Sequence, residues 1–484
     1  MTKNTFVSVL LLMAVIISFS SILDESIGLS EQISQVLASE GLNWRASPNI
    51  AFFSPYVEAN PRSVSELLNR INGYLPLNEE ARSQWLSEIV GHSTSRMNTT
   101  NDMILSTYVV LKPVTQTEAS FFRIEPVRNQ QYYGSCWAFS TIGTFESALA
   151  VQALGLPEGN RDNRFDYSER WVGYHNNNTF IRLASNAWMI QDEDRLNGGN
   201  PYHALFNSIR YGEMEEQNAP YAQIFISTEE GVPLPTSAYG APLRQSSKTA
   251  LIPSARDCLH FGYTYADYLN MIKTALKDYG SLSVTFAVPG DFGNYASGIY
   301  TPVLPLSESY HAVTLVGWAA ASELDDISLN GKLKNPPVPI IKNPITRYTY
   351  RDFTLPGVPQ HATDLFWILK NSYGYLWGDA GYYVVPAINA AQYAGEAEIG
   401  LWMIEGFDMY VPLFDSDEKH AGDDLDINRD GLVDQNDFGD LIAKIGSNQP
   451  SDISACDIGY PKDGRITGDD ASAWITLYNV RHEE

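Results

Sequence analysis

One cysteine of the chain lies where a helix is predicted to begin. Residues 127–140 read VRNQQYYGSCWAFS, and after Cys136 the apolar residues Ile142, Phe145 and Leu149 recur at helical spacing. A thiol at a helix N-terminus lies in the positive end of the macrodipole, which favours the thiolate, the nucleophilic form. The alternative for a single cysteine in such a place is a small, buried apolar side chain.

A histidine and an asparagine in two later motifs favour the catalytic interpretation. Residues 309–318, SYHAVTLVGW, place His311 at the mouth of an apolar strand, and residues 366–383 place Asn371 just past another strand. A histidine can exchange the proton of a thiol, and an amide oxygen can fix the tautomer and the aim of the imidazole ring. The three motifs together therefore predict a thiol nucleophile with an oriented base.

These motifs resemble those of the papain-like cysteine peptidases, whose C-G-[SA]-C-[WY] signature is accompanied by distant His and Asn residues. The resemblance implies that Cys136 attacks the scissile carbonyl, while His311 forms a thiolate–imidazolium pair with it and then protonates the leaving amine. Asn371 would orient the imidazole. Gln130 would bind the oxyanion together with the backbone N–H of Cys136; its alternative is a solvated loop amide.

Two glycines in residues 195–205, RLNGGNPYHAL, resemble the substrate-binding loop of the same family. Gly199 would offer backbone hydrogen bonds to an extended peptide, whereas the Gly198-Gly199 pair alone indicates only a tight turn. The resemblance implies a mainly apolar specificity pocket with one hydroxyl, and two aromatic side chains near the Asn–His pair. The residues concerned, all predicted to bind substrate, are Pro201, Thr285, Ala312, Tyr373 and Trp377. We expect an apolar substrate side chain before the scissile residue, and Tyr373 replaces the tryptophan that usually shields the Asn–His bond.

The three cysteines, Cys136, Cys258 and Cys456, exclude a scaffold built on disulfide bonds, because at least one thiol must remain unpaired. Tyr133 and Leu196 stand where the family usually has a disulfide pair near the nucleophile. Cys258 and Cys456 either form a bridge with each other or remain as two free thiols.

The C-terminal end carries an acidic segment with a different predicted site. Residues 413–484 contain 17 acidic and 6 basic side chains, and within them residues 426–437 read DINRDGLVDQND. Oxygen ligands at positions one, three, five, nine and twelve, with glycine at six, match the EF-hand calcium loop. The predicted Ca²⁺ ligands are Asp426, Asn428, Asp430, Leu432 through its carbonyl, Asp434 and Asp437. An acid-rich solvated loop is the alternative.

A degenerate second copy of this loop, CDIGYPKDGRITGDD, supplies Asp457, Asp463 and Asp470 as further candidate ligands. Each loop is followed by one predicted apolar helix, with Phe438, Leu441, Ile442 and Ile445 in the first and Trp474, Ile475 and Leu477 in the second. Two such loop–helix repeats resemble a dockerin module, which implies a structural Ca²⁺ requirement and a cohesin module of a scaffold or surface protein as partner. The alternative is a calcium-stabilised structural appendage. No cofactor is expected for catalysis.

The N-terminal residues predict export and a prosegment. Lys3 precedes an apolar run over residues 6–19, which is typical of a secretory signal; an uncleaved membrane anchor is the alternative. Residues 21–112 have mostly helical patterns, with one amphipathic helix predicted at Ile33, Val36 and Leu37 and a second at Val64, Leu67, Leu68 and Ile71. They are interpreted as a prosegment that inhibits its own enzyme, or as a separate binding domain. The predicted organisation is a signal peptide (1–20), prosegment (21–112), peptidase domain (113–412), linker (413–421) and dockerin-like module (422–484).

Composition is consistent with a folded, exported protein. A hydrophobic content of 44% excludes a disordered acidic chain, and the net charge of −25 argues against nucleic acid and anionic membranes as partners. The predicted fold class is α+β: a papain-like two-lobed domain with a helical lobe and a β-barrel-like lobe, a helical prosegment, and a small all-α EF-hand-like module. The predicted function is a secreted cysteine endopeptidase zymogen. The alternative is a catalytically weak papain-scaffold protein that acts as a calcium-dependent binding component.

Overall fold

The computed structural model describes the following residues: 24–42, 44–48, 71–75, 108–110, 120–121, 127–131, 133–154, 165–175, 198–221, 234–320, 365–374, 376–379, 381–414 and 435–449, with positions 68, 82, 86, 427, 452, 456, 465–468, 471 and 474–475. The predicted signal peptide lies outside these residues.

The N-terminal region contains the predicted amphipathic helix, α1, over residues 24–40. Ile33 and Leu37 are buried, as the helical spacing predicts, but Val36 is 37% exposed and lies off the buried face. Leu68 and Ile71, from the second predicted helical pattern, are also buried and belong to the same apolar cluster as Ile33 and Leu37. The apolar positions of this region therefore pack into the main core.

The helical lobe is built around one long helix, α2 (Cys136–Leu154), which begins at the cysteine as predicted. Its side chains over residues 136–151 are buried, because the helix packs against two shorter helices on one side and the sheet on the other. These are α3 (Glu169–Tyr174) and α4 (Pro201–Arg210). Asn200 caps α4 by accepting a hydrogen bond from the Tyr202 N–H at 2.7 Å.

The second lobe is formed by a mainly antiparallel sheet whose strands lie in the order β11-β10-β9-β7-β12-β6-β2, with β3 also paired to β9. β2 joins β6 in the parallel direction. The apolar strands predicted at His311 and before Asn371 are present as β9 and β10. Strand bounds are β2 Tyr108–Val110, β3 Ser120–Phe121, β6 Lys248–Ile252, β7 Leu282–Pro289, β9 Leu306–Ala320, β10 Leu365–Lys370, β11 Tyr382–Pro386 and β12 Met409–Leu413.

Short elements complete this lobe and the edges of the other. Two-stranded pairs are formed by β4 (Glu213–Met214) with β5 (Leu243–Arg244), and by β1 (Trp44–Ala46) with β8 (Tyr295–Gly298). The helices are α5 (Ala255–His260), α6 (Tyr265–Thr274) with a π-helical turn at Ala275–Tyr279, and α7 (Ala390–Tyr393). Single 3₁₀ turns lie at Thr236–Ala238, Phe292–Asn294 and Ile404–Gly406.

Contacts that include Trp44 and Arg82 hold the N-terminal region against the sheet lobe. Trp44 of β1 donates its indole N–H to the Thr301 carbonyl at 2.8 Å, and its ring lies 5.2 Å from that of Tyr300. Arg82 pairs with Asp408 through two nitrogens and with Asp257 at 2.6 Å. A buried guanidinium with two carboxylate partners keeps its charge compensated only while both parts of the chain remain together.

The C-terminal module contributes α8 (Gln435–Lys444), the predicted helix after the first loop. Leu441 is buried and Phe438 packs on Trp474, with ring centroids 5.2 Å apart. Ile445, which the pattern assigned to this helix, lies just beyond its end and is 43% exposed. Cys136, Cys258 and Cys456 are all buried free thiols, so the possible bridge between Cys258 and Cys456 is absent.

Candidate active site

Cys136 is wholly buried at the first residue of α2. The backbone N–H of Ala312 donates to its Sγ at 3.5 Å, which brings the start of the helix against strand β9. The neighbouring residue of that strand is His311. The fold therefore brings together a thiol and an imidazole that lie 175 residues apart in the sequence.

His311 and Asn371 form a direct hydrogen bond, with Nε2 of the imidazole 2.7 Å from Oδ1 of the amide. The bond follows from strand pairing, because Lys370, which precedes Asn371, pairs with Thr314 of β9. The sequence had indicated that His311 lies at the start of its strand. In the structure it lies inside β9, five residues after the strand begins at Leu306. Its Nδ1 atom has no hydrogen-bond partner among the described residues, so this nitrogen is the one that remains for proton exchange.

Tyr373 covers the imidazole, as the resemblance predicted for its position. The two ring centroids lie 4.8 Å apart at 31°, and Tyr373 is buried. Trp377 does not face the cleft: it is wholly buried, packs on Tyr373 at 5.5 Å and donates its indole N–H to the Gly293 carbonyl. The prediction of Trp377 as a substrate contact is therefore corrected, because the side chain supports Tyr373 from behind.

Gln130 presents its side-chain amide near the nucleophile, and both ends of the amide are held. Its Nε2 donates to the carbonyls of Tyr133 and Ile71, each at 2.7 Å, while its Oε1 accepts from the Ser372 hydroxyl. Ser372 directly follows Asn371, so one short turn positions both the histidine's partner and the amide. The donor predicted for an oxyanion is thus occupied by a carbonyl of the N-terminal region.

Residues 71–75 of the N-terminal region lie across this cleft and close it. The Gly199 N–H donates to the Gly73 carbonyl at 2.9 Å, and the Leu75 N–H donates to the Gly199 carbonyl at 2.9 Å. On the other side, the Tyr74 N–H donates to the Tyr310 carbonyl at 3.2 Å. The backbone N–H groups of Gly73 and Tyr74 also face the sulfur of Cys136. The nucleophile therefore faces amide N–H groups of the segment.

Glycine is required on both sides of this contact. A Cβ at Gly199 would lie 2.4 Å from an indole carbon of Trp137, and a Cβ at Gly73 would lie 1.7 Å from the Gly134 carbonyl oxygen. Gly199 uses both of its backbone groups to pair with the segment, and its predicted bonds to a substrate stay a prediction. Gly198 is buried beside it.

The residues predicted to line the specificity pocket converge on Tyr74. Thr285 of β7 and Ala312 of β9 are directly opposite each other in the sheet, so their side chains share one face. Pro201 is buried at the first position of α4, next to Asn200. The Tyr74 hydroxyl is hydrogen-bonded with the side chains of Thr285 and Asn200. The pocket is thus present and filled by a side chain of the same chain.

Closure of the cleft changes the protonation state that the resemblance implies. Burial raises the pKa of the Cys136 thiol to about 11, and burial lowers the pKa of His311 to about 4, against the opposing effect of the Asn371 hydrogen bond. In the closed form both shifts favour the neutral thiol and imidazole over the predicted thiolate–imidazolium pair, which stays a prediction for the open cleft. The physical cause is the loss of water around both groups.

Three features of the site were missed by the sequence analysis. Tyr221 bridges the Gln130 carbonyl at 2.9 Å and the Ser135 hydroxyl at 2.8 Å. Ser372 holds Gln130, as described above. Arg128 forms ion pairs with Glu146 at 2.7 Å and Glu169 at 2.8 Å, as well as with Asp166. A hydroxyl or charge that acts through long-range contacts leaves no local pattern in the sequence.

The predicted calcium ligands, Asp437 apart, lie outside the described residues. Asp437 is wholly buried in the first turn of α8. In the described part of the chain, no group of three or more His, Cys, Asp and Glu side chains is arranged to hold a metal ion. Among the described helices, none combines the length and apolar character that crossing a bilayer requires.

Comparison with known proteins gives matches over the region that contains this site. The chain is 25% identical over 263 residues to falcipain-2b of Plasmodium falciparum, covering 54% of this chain and 39% of that protein. It is 25% identical over 269 residues to mouse pro-cathepsin H, covering 54% of this chain and 56% of that protein. The chain therefore spans about half, or less, of the length of the curated relatives it matches.

A solved structure, digestive procathepsin L 3 from the larval midgut of Tenebrio molitor, superposes with a TM-score of 0.43 at 17% identity, covering 82% of this chain and 92% of that chain. The family model for papain family cysteine proteases matches residues 115–158 and 189–399, more than half of the chain, and these ranges include Cys136, His311 and Asn371. The chain therefore belongs to the papain family of cysteine proteases.

Proposed function

We propose that this chain is the inactive precursor of an exported cysteine endopeptidase that hydrolyses peptide bonds in proteins. The observation that carries the proposal is the 2.7 Å hydrogen bond between His311 and Asn371, beside a cysteine at a helix N-terminus. That bond uses Nε2 and leaves Nδ1 for the thiol proton. The helix dipole favours the thiolate once water returns to the cleft.

In the proposed reaction, Cys136 Sγ forms a bond to the scissile carbonyl carbon, and the π electrons move onto the oxygen. Gln130 Nε2 and the Cys136 N–H stabilise that oxyanion. Collapse breaks the C–N bond, and the leaving amine takes the proton from His311 Nδ1. Water then attacks the thioester, with its proton accepted by His311, which releases the carboxylic acid and restores the thiol.

The segment over residues 71–75 supports the precursor part of the proposal. It occupies Gln130 Nε2, pairs with Gly199 and fills the pocket beside Thr285, so a substrate cannot bind until it leaves. We therefore assign it as the inhibitory part of the prosegment predicted over residues 21–112. Release must break the ion pairs of Arg82 as well as these hydrogen bonds.

The test is hydrolysis of unfolded casein by the full chain, activated in reductant, with the N-terminus of the product mapped. Cys136→Ala removes the attacking atom, and we expect a loss of at least about 10³-fold in kcat. Cys258→Ala is the matched control, because Cys258 is also a buried free thiol but lies in α5 and donates to the Pro253 carbonyl. Hydrolysis that persists in Cys136→Ala would contradict the mechanism. An inactive wild-type chain would favour the binding-protein alternative.

For the acidic tail we propose a calcium-dependent docking module of dockerin type that binds cohesin. The two predicted loop–helix repeats are in contact through Phe438 and Trp474, and the Gly446 N–H donates to the Ile466 carbonyl at 2.9 Å. Asp437 is buried where the first loop meets α8. Carboxylates clustered in one loop repel each other unless a cation compensates them, and Ca²⁺ prefers such oxygen ligands.

Calorimetric titration of the full chain with Ca²⁺ tests this part. Asp426→Ala, at loop position one, should weaken binding, whereas Asp440→Ala, an exposed position of α8 outside the loop, should not. Purified cohesin modules are then tested for binding with Ca²⁺ and with chelator. A chain that takes up no Ca²⁺ would contradict the calcium site. Uptake of Ca²⁺ without cohesin binding would favour the structural-appendage alternative.

A further inference from the structure

The pocket occupied by Tyr74 has aromatic walls. The ring of Tyr74 meets Tyr310 edge-on at 6.2 Å and Phe407 edge-on at 6.5 Å. It also packs against the apolar cluster that contains Cys136 and Ala312. Edge-to-face pairs of this kind favour a flat aromatic occupant over an aliphatic one of similar area. The pocket is therefore shaped for a six-membered aromatic ring.

The far end of the pocket is polar. The Tyr74 hydroxyl reaches the side chains of Thr285 and Asn200, and the charges of Asp408 and Arg82 act on it. Burial raises the pKa of this phenol to about 12, so the occupant is neutral. A buried hydroxyl such as that of Thr285 is destabilising when it has no hydrogen-bond partner. An occupant that lacks a polar atom at the end of its ring leaves the Thr285 hydroxyl unpaired.

A substrate can place a side chain in this pocket through the same backbone contacts. Gly199 pairs with residues 73 and 75, which centres the pairing on Tyr74. An extended peptide of opposite direction can also bond through both backbone groups of Gly199, because an antiparallel pair uses the same N–H and C=O. When the peptide runs in the opposite direction, its C=O groups lie where the segment has N–H groups, and its N–H groups lie where the segment has C=O groups. Carbonyl groups then face the sulfur, where the Gly73 and Tyr74 N–H groups now lie.

In that reversed chain, the residue at the position of Gly73, which adjoins Cys136, carries the scissile carbonyl. The residue at the position of Tyr74 is the one before it. We infer that the active cleft selects substrates with tyrosine at this second position before the scissile bond, through the hydroxyl of Thr285. This inference rests on the proposed peptidase function. It also changes our expectation of a simply apolar side chain at the pocket.

The charges near the pocket separate tyrosine from other polar residues. Asp408 and Asp257 are compensated by Arg82, which belongs to the N-terminal region and leaves with it. Their negative charge then disfavours an acidic substrate side chain. A basic side chain long enough to replace Arg82 is the competing occupant, so it must be included in the test.

The experiment measures kcat/KM of the activated full chain on blocked dipeptides Xaa-Ala with a fluorogenic amide leaving group. Xaa is Tyr, Phe, Leu, Glu or Arg, and casein hydrolysis is measured in parallel. We expect Tyr to exceed Phe by about three- to tenfold, the effect of one neutral hydrogen bond, and we expect Glu to be cleaved least. Equal rates for Tyr and Phe, or a preference for Arg, would overturn the inference while casein hydrolysis still supports the peptidase. Loss of casein hydrolysis would instead contradict the proposed function.

Thr285→Val tests the hydroxyl itself, because valine keeps the shape of threonine. We expect the Tyr-to-Phe ratio to fall towards one in this variant and to be kept in Thr285→Ser. Thr249→Val is the matched control, since Thr249 is also buried in a strand and its hydroxyl has no partner among the described residues. A ratio that is unchanged in Thr285→Val would overturn the assignment. If Thr285→Val does not fold, the Tyr-to-Phe ratios of the wild-type chain and of Thr285→Ser still decide the assignment.

Discussion

Two hydroxyl groups hold Gln130, one at its side-chain amide and one at its backbone carbonyl. The Ser372 hydroxyl donates to its Oε1, which directs Nε2 into the cleft. Tyr221 binds the backbone carbonyl of Gln130 and the hydroxyl of Ser135, the residue before the nucleophile. Its ring is fixed by an edge contact with Phe139 at 4.8 Å. Tyr221 thus links the backbone of Gln130 to the residue that precedes Cys136. Because Gln130 and Cys136 carry the two predicted oxyanion donors, we interpret Tyr221 as a positioning residue.

The variant Tyr221→Phe tests this role at the scale of one hydroxyl. The ring packing remains and only the two hydrogen bonds are lost, so the oxyanion donors are expected to lose alignment while the pocket stays intact. We expect kcat to fall by about three- to tenfold with little change in KM, because the interaction strengthens only in the transition state. Steady-state kinetics on one fluorogenic peptide measures both constants.

Tyr268→Phe is the matched control for that variant. The Tyr268 hydroxyl is buried in α6 and has no hydrogen-bond partner among the described residues, so its removal should leave kcat unchanged. A rise in KM with an unaltered kcat in Tyr221→Phe would show a binding effect instead, and would contradict the positioning role.

At the scale of elements, the decisive contact is that of residues 71–75 with the cleft. The segment pairs in the parallel direction with both walls, through Gly199 and Tyr310. Its close approach depends on Gly73, which packs against the backbone of Gly134. A backbone contact of this kind cannot adjust as a side chain can. The inhibition is therefore sensitive to a single added methyl group.

We expect Gly73→Ala to prevent the segment from closing the cleft. The added Cβ would lie 1.7 Å from the Gly134 carbonyl oxygen, far inside van der Waals contact, so the segment must move away from Cys136. Freshly purified full chain should then hydrolyse a fluorogenic peptide without activation, and conversion to the shorter product should accelerate. Both rates are read from one time course with gel analysis.

The control for this prediction is Gly28→Ala, the same change in α1 of the same region. A Cβ at Gly28 meets no atom within 4 Å, and alanine favours a helix, so latency should be kept. Latency that is kept in Gly73→Ala as well would show that the segment does not close the cleft in solution.

At the scale of the whole molecule, closing the cleft removes water from the catalytic pair and makes closure depend on pH. The closed form holds the pKa of His311 at about 4, below its ordinary value of 6.5. Between these values the open form binds more protons than the closed form. The free energy that neutral His311 contributes to the closed form is therefore fully present above pH 6.5. It is lost as the pH falls towards 4, because the open form takes up the proton first.

We expect acidification from pH 7 to pH 4.5 to open the segment, by an amount on the order of 2–3 kcal/mol from His311. The measurement is hydrogen exchange at the amides of Tyr74 and Leu75, corrected for the intrinsic effect of pH. It is made in the Cys136→Ala chain, which cannot cleave itself. Protection of both amides should fall at the lower pH, because their acceptors are the Tyr310 and Gly199 carbonyls of the cleft.

The same exchange measured in the Cys136→Ala, His311→Gln chain isolates the histidine. Glutamine does not titrate, so the loss of protection between pH 7 and pH 4.5 should be smaller in this variant. An equal loss in both chains would assign the pH dependence to other groups and contradict the role of His311.

The sequence by itself determined the chemical groups of the site and the local elements that carry them. A helix beginning at Cys136 and a strand ending before Asn371 depend on periodicity within about ten to twenty residues, and that information is local. Helix α2 begins as predicted, and β10 ends at Lys370. The acidic loop at residues 426–437 also follows from local spacing, and its calcium site stays a prediction.

Only the tertiary structure decided which groups meet and how they are charged. The bond between His311 and Asn371 requires the pairing of β9 with β10, and the occupant of the pocket comes from residue 74, far away in the sequence. The neutral state of Cys136 and His311 arises because the segment excludes water from both. Burial and long-range pairing are properties of the assembled chain, and no local pattern of residues encodes them.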